Sequence, residues 1–128
     1  MALSKLHRLG DLQLRIMKVL WQRGEASVAD IQASIPGGDD LAYTTMATML
    51  RKMEVRHLVS HRVEGRTFVY RSLVKETQVS QGMTEHVLDR IFGGSVEAMV
   101  SNLLTTREVS QDELKRLEKL IVAWRKKS

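Results

Sequence analysis

Between positions 42 and 56 the chain carries side chains suited to contact with a polyanion. Thr44, Thr45 and Thr48 are followed by Arg51 and Lys52, while Met46, Met49, Leu50 and Met53 recur at i, i+3, i+4 and i+7. That spacing predicts a helix from about Ala42 to Arg56 with one apolar stripe and polar residues on its other faces. Threonine is short, so a helix lined with it can approach base edges closely. Its hydroxyl can bond to a base and its methyl can touch a thymine methyl. One turn later, Arg51 and Lys52 are placed for phosphates, and the helix N-terminus itself favours one. Taken alone, the same residues would equally suit a solvated surface helix.

A second basic cluster follows. Arg62, Glu64, Gly65, Arg66 and Arg71 bracket a short glycine-containing link between two strand-like runs, Leu58–Val63 and Thr67–Ser72, the second β-branched and aromatic. This pattern predicts a β-hairpin with Arg66 at its tip, within reach of a phosphate or the minor groove. Of the chain's net charge of +5, residues 41–72 hold +4: six cations against Glu54 and Glu64. Two consecutive basic elements make DNA a better-supported partner than net charge alone would.

Other chemistries find little support. There is no cysteine, which removes disulfides, thiolate metal sites and a thiol nucleophile. Among His7, His57, His61 and His86, only His57 and His61 have a ligand-like spacing, and they span a helix-to-strand boundary. No Ser-His-Asp order, P-loop or dinucleotide fingerprint occurs. Asp39-Asp40 reads as a solvated loop and the methionines as core filler. We therefore expect no enzyme activity, no metal and no cofactor. No apolar run approaches a membrane span and Met1–Gly10 lacks a signal-peptide core, so the expected location is cytoplasmic, without membrane insertion.

The remaining elements must position these residues. Leu12, Ile16, Val19 and Leu20 predict a helix over Asp11–Arg23, with Asp11 as its N-cap and Gly24 as its stop. Ala26 and Ser27 suit a short strand. Val28–Ile35 suits a helix opened by a Ser27/Asp30 capping box, ahead of the turn at Pro36-Gly37-Gly38. Beyond Leu73 the pattern turns helical: Thr77–Ile91, Val96–Leu104 after Gly93-Gly94, and Ser110–Arg125. The expected fold is mostly α with a small β-hairpin. A winged helix-turn-helix over residues 1–73 precedes a helical dimerisation region over 74–128. The latter looks too short and too narrowly amphipathic to form a monomeric core.

These residues resemble the penicillinase repressor family, which includes repressors of β-lactamase and methicillin-resistance operons. The resemblance rests on Leu9-Gly10-Asp11-Leu12, Ile16-Met17 with Leu20-Trp21, Val28-Ala29-Asp30-Ile31, Ala42-Tyr43-Thr44-Thr45 with Thr48, Leu58-Val59 and Gly65-Arg66. It continues through Phe92-Gly93-Gly94-Ser95, Asn102-Leu103 and Ser110-Gln111-Asp112-Glu113, and so covers about residues 9–124. It implies a homodimer on double-stranded dyad operators, with Thr44, Thr45 and Thr48 on the recognition helix and Arg66 on the wing. In the best-known members a membrane-bound sensor metalloprotease triggers cleavage between Asn and Phe. The matching pair here is Asn102-Leu103, a departure at the second position. Copper-responsive relatives carry a C-terminal cysteine cluster that this chain lacks.

The expected DNA contacts are Thr44, Thr45, Thr48, Arg51, Lys52, Arg62 and Arg66. The expected dimer contacts are Leu88, Ile91, Met99, Leu103, Leu104, Leu117, Leu120, Ile121 and Trp124. The alternatives are a small-molecule-sensing winged-helix regulator and a winged helix used only for protein contacts.

Overall fold

A computed structural model of the chain describes Leu6 and residues 8–38 and 41–128. His7 and Asp39-Asp40, discussed above, lie outside the described residues. By their contacts the residues form two compact units that divide after His86.

The first unit opens with α1, Asp11–Arg23. Its N-cap is Gly10 and not Asp11. The Gly10 N–H donates to Gln13 Oε1 at 3.1 Å, the N3 half of a capping box, and glycine has no side chain to supply the other half. Asp11 instead occupies the first helical turn and pairs with Arg15 at 2.6 Å. Strand β1, Glu25–Ser27, leads directly into α2, Val28–Ser34. The capping box opening α2 is present in both directions: Asp30 N–H donates to Ser27 Oγ at 3.1 Å, and Ser27 N–H to Asp30 Oδ2 at 3.3 Å. Hydrogen bonding of the carboxyl with the Ser27 side chain, and then with the Ser27 backbone N–H, holds Asp30 below its ordinary pKa. Gly38 is buried just beyond, where a Cβ would sit 2.1 Å from the Gln32 carbonyl oxygen. Only glycine fits there without a shift of backbone.

Helix α3, Tyr43–Val55, buries Met46, Leu50 and Met53. It ends without glycine. His57 takes φ 62°, the Leu58 N–H bonds to the Met53 carbonyl at 3.0 Å, and the His57 N–H to that of Glu54 at 2.9 Å. This is the paired closure of a Schellman motif, with Leu58 and Met53 both buried as its apolar contact. Strands β2, Val59–Glu64, and β3, Thr67–Ser72, form the hairpin, with Gly65 at φ 64° in its two-residue turn. The three-stranded antiparallel sheet runs in the order β1-β3-β2, with Ala26 opposite Tyr70 and Tyr70 opposite His61.

The core of this unit joins Ile16, Met17 and Leu20 of α1 to Ile31, Met46, Leu50, Met53, Val59 and Tyr70. Helix α4, Glu76–Phe92, adds Val79 to it, with Val74 and Met83 packed alongside. At the approach to α4, the Trp21 indole N–H lies 2.9 Å from the Val74 carbonyl and 3.2 Å from Ser72 Oγ. The first turns of α4 therefore belong with the head by contact, although the sequence suggests a boundary at residue 73.

The second unit, Val87–Ser128, holds the rest of α4 with α5, Val96–Thr106, and α6, Gln111–Lys127. Ser95 Oγ accepts the Ala98 N–H and Ser110 Oγ the Glu113 N–H, both at 3.1 Å, which fixes where each helix starts. Neither α5 nor α6 has a buried residue.

Candidate nucleic-acid interface

Helix α3 holds its polar faces outward because Met46, Leu50 and Met53 of its apolar stripe are buried below, with Met49 half-buried at the edge. Thr44 and Thr45 are exposed and Thr48 is half-buried. Together with Met49 and Lys52 they line a shallow depression of about 260 Å³. Arg51 Nη2 donates to Thr48 Oγ1 at 3.3 Å, so the threonine hydroxyl and the guanidinium are already aligned along one line of the helix. At the N-terminus, Ala42 provides no side-chain cap. The Thr45 and Met46 N–H groups donate to the Ala42 carbonyl at 3.0 and 3.2 Å, which leaves those of Tyr43 and Thr44 without a backbone partner among the described residues, and the helix dipole favours an anion there.

The hairpin brings Arg66 beside this helix. A cleft of about 240 Å³ between α3 and the wing is lined by Tyr43, Ala47, Arg51, Arg66, Phe68 and Tyr70, with Val28 at its floor. Arg62 is placed differently. Its guanidinium meets Glu25 across the sheet at 2.8 Å and Glu64 on its own strand. Hydrogen bonding and proximity to Arg62 hold the Glu25 carboxyl below its usual pKa, and the two carboxylates push Arg62 further up. Arg62 thus belongs to a carboxylate-bound cluster, while Arg51, Lys52 and Arg66 sit in ion pairs with no acidic side chain among the described residues.

Sequence reasoning missed the pair that joins α3 to the wing. His61 Nδ1 lies 2.7 Å from Glu54 Oε1, and its ring stacks on Phe68 at 4.2 Å between centroids and 14° between planes. Glu54 and His61 are seven residues apart but straddle a helix end, so no helical or strand periodicity relates them. Nor did charge counting single out Tyr43 and Phe68, although both stand in the polar segments: Tyr43 is 55% exposed and Phe68 43%.

Among the tail residues, Leu88, Met99 and Leu117 are half-buried. Ile91, Leu103, Leu104, Leu120, Ile121 and Trp124 are exposed, Ile91 by 71% and Trp124 by 63%. Asn102-Leu103 lies within α5, and the Asn102 carbonyl accepts the hydroxyls of Thr105 at 3.0 Å and Thr106 at 2.8 Å. Among the described residues no cluster of three or more His, Cys, Asp or Glu could hold a metal ion, and no helix is long and apolar enough to cross a membrane.

Comparison with known proteins decides what this head-and-tail arrangement is. The sequence profile described as penicillinase repressor matches residues 9–123, nearly the full chain. The chain belongs to the penicillinase repressor family. It is similar to the penicillinase repressor of Bacillus licheniformis, 24% identical over 93% of each chain. It is also similar to the methicillin resistance regulatory protein MecI of Staphylococcus aureus (strain N315), 20% identical over 92% of this chain and 96% of that one. Among solved structures, the DNA-binding domain of the repressor BlaI matches with a TM-score of 0.50 and 26% identity, over 58% of this chain and 90% of that one. The penicillinase repressor family is one of transcriptional repressors, not enzymes, and the head described above is its winged-helix DNA-binding domain.

Proposed function

We propose that the chain acts in the cytoplasm as a homodimer that represses transcription from palindromic operators. One observation carries the dimer: nine apolar residues of the tail are exposed or half-buried in the single chain, and α5 and α6 bury none of theirs. Leu88, Ile91, Met99, Leu103, Leu104, Leu117, Leu120, Ile121 and Trp124 would form one shared core between two copies, as obligate dimer interfaces do. Because such an interface is isologous, the two heads are related by a two-fold axis, and the half-sites they read are inverted copies.

Each head reads DNA with α3 and the wing. Thr44, Thr45 and Thr48 discriminate bases, and Arg51, Lys52 and Arg66 bind phosphates. Arg62, with both carboxylates in place, supports the wing and contributes little to phosphate binding. Joining two weakly bound heads raises the effective concentration of the second once the first has docked. Anything that parts the tails therefore releases the operator. Cleavage at Asn102-Leu103 after a membrane-bound sensor metalloprotease is activated would do so. Because that bond lies inside a helix, α5 must unwind locally before a protease can take it.

The test is sedimentation at micromolar concentration together with footprinting on sequences selected from random duplex DNA. We expect a dimer and two protected half-sites about one helical turn apart. A monomer at that concentration, or a single unpaired half-site, overturns the proposal.

A further inference from the structure

The cleft between α3 and the wing has an unusual composition for a surface meant only to attract phosphates. Its walls are Tyr43 from the first turn of α3 and Phe68 from β3, its floor is Val28, Ala47 and Tyr70, and no acidic residue lines it. Arg51 and Arg66 supply its cations. Phe68 is not free to collapse inward, because His61, itself held by Glu54, is stacked on it. Two partly exposed aromatic rings lining one cleft offer apolar surface that a ligand's own apolar groups could cover.

A duplex strand alternates a charged group with an apolar one, phosphate and then deoxyribose. We propose that this cleft seats one deoxyribose-phosphate strand, with sugar carbons against Tyr43 and Phe68 and the flanking phosphate held between Arg51 and Arg66. The inference rests on the reading of α3 and the wing as the DNA-binding elements, and adds to it an apolar component of affinity. Charge complementarity favours this occupant: the charged residues of the lining, Arg51 and Arg66, are both cations. Because sugar and phosphate recur at every nucleotide, the grip is independent of base sequence.

The two halves of the grip predict different salt behaviour. Each phosphate contact releases counterions on binding, so its loss flattens the plot of log affinity against log salt by about 0.9. Loss of an apolar contact leaves that slope alone. The experiment measures binding of the full-length chain, across a range of salt, to a duplex selected from a random pool and to an arbitrary duplex. Tyr43→Ala and Phe68→Leu should each weaken binding about fivefold on both duplexes with the slope unchanged, as expected for uncovering part of one ring. Arg51→Gln and Arg66→Gln should each flatten the slope. If the chain binds DNA and both aromatic variants match it in affinity, the proposal fails while the wider reading stands. If the chain binds neither duplex, the wider reading fails with it. A photo-crosslinking aromatic residue placed at position 43 guards against variants that merely misfold. It should attach to the DNA strand, and a folded chain that gives no adduct overturns the assignment.

Discussion

At the scale of single residues, the threonines and Arg62 differ in how their polar groups are already engaged. Thr48 is half-buried and already bonded to Arg51, which makes it the most fixed of the three threonines. A group held in one geometry discriminates better than one free to adapt. Thr48→Ala should therefore cost about 1 kcal/mol on a selected operator and far less on arbitrary duplex. A competition binding assay gives both values, and equal losses would remove Thr48 from base reading. Arg62 makes the opposite case. Its place near the hairpin tip marks it as a phosphate ligand in the sequence, because Glu25 stands 37 positions earlier and only the β1-β3-β2 order brings it near. Arg62→Ala should leave the salt slope of DNA binding unchanged, as read by fluorescence anisotropy. The Glu25 carboxyl, held below its usual pKa, keeps this pair intact at neutral pH. It is lost only as pH falls through that lowered value, and Arg62 then keeps its pairing with Glu64.

At the scale of elements, periodicity located α1, α3 and the hairpin within a residue or two, since their apolar stripes lie over one core. The ends were less legible. Asp11 looks like an N-cap by residue type, yet the Gln13 side chain reaching back to Gly10 places the cap one residue earlier. His57 gives no hint of its role, because a left-handed helix end is usually signalled by glycine. That position holds a testable strain. A non-glycine residue at positive φ costs about 1–2 kcal/mol, partly offset by the greater freedom glycine gains on unfolding. His57→Gly should then raise the melting temperature by a few degrees in calorimetry, without altering the bonds from Leu58 to Met53. A lower melting temperature would mean that the imidazole itself contributes to the fold.

At the scale of the whole molecule, the change of pattern after Leu73 suggests a head and a tail, whereas the contacts divide the chain after His86. Nothing in the amphipathic pattern of α4 says which of its turns serve which unit. Val79 is buried in the head core, with Met83 and Val74 alongside, so three turns of apparent tail belong there by contact. A chain ending at His86 should fold with a sharp thermal transition, stay monomeric and bind operator DNA weakly. One ending at Leu73 uncovers the Val79 site, a loss of about 1.5–3 kcal/mol from that side chain alone, and should melt markedly lower. Circular dichroism of the two fragments decides the matter, and equal melting temperatures would return the boundary to Leu73.

The uncovered leucines, isoleucine pair and tryptophan of the tail also bear on how such a switch would respond to its own abundance. If two copies pair to hide that surface, as proposed, the competent form grows as the square of chain number while unpaired copies predominate, by mass action. Modest dilution at cell division or a brief pause in synthesis would thus lift control of the target gene more sharply than it would for a protein that acts alone.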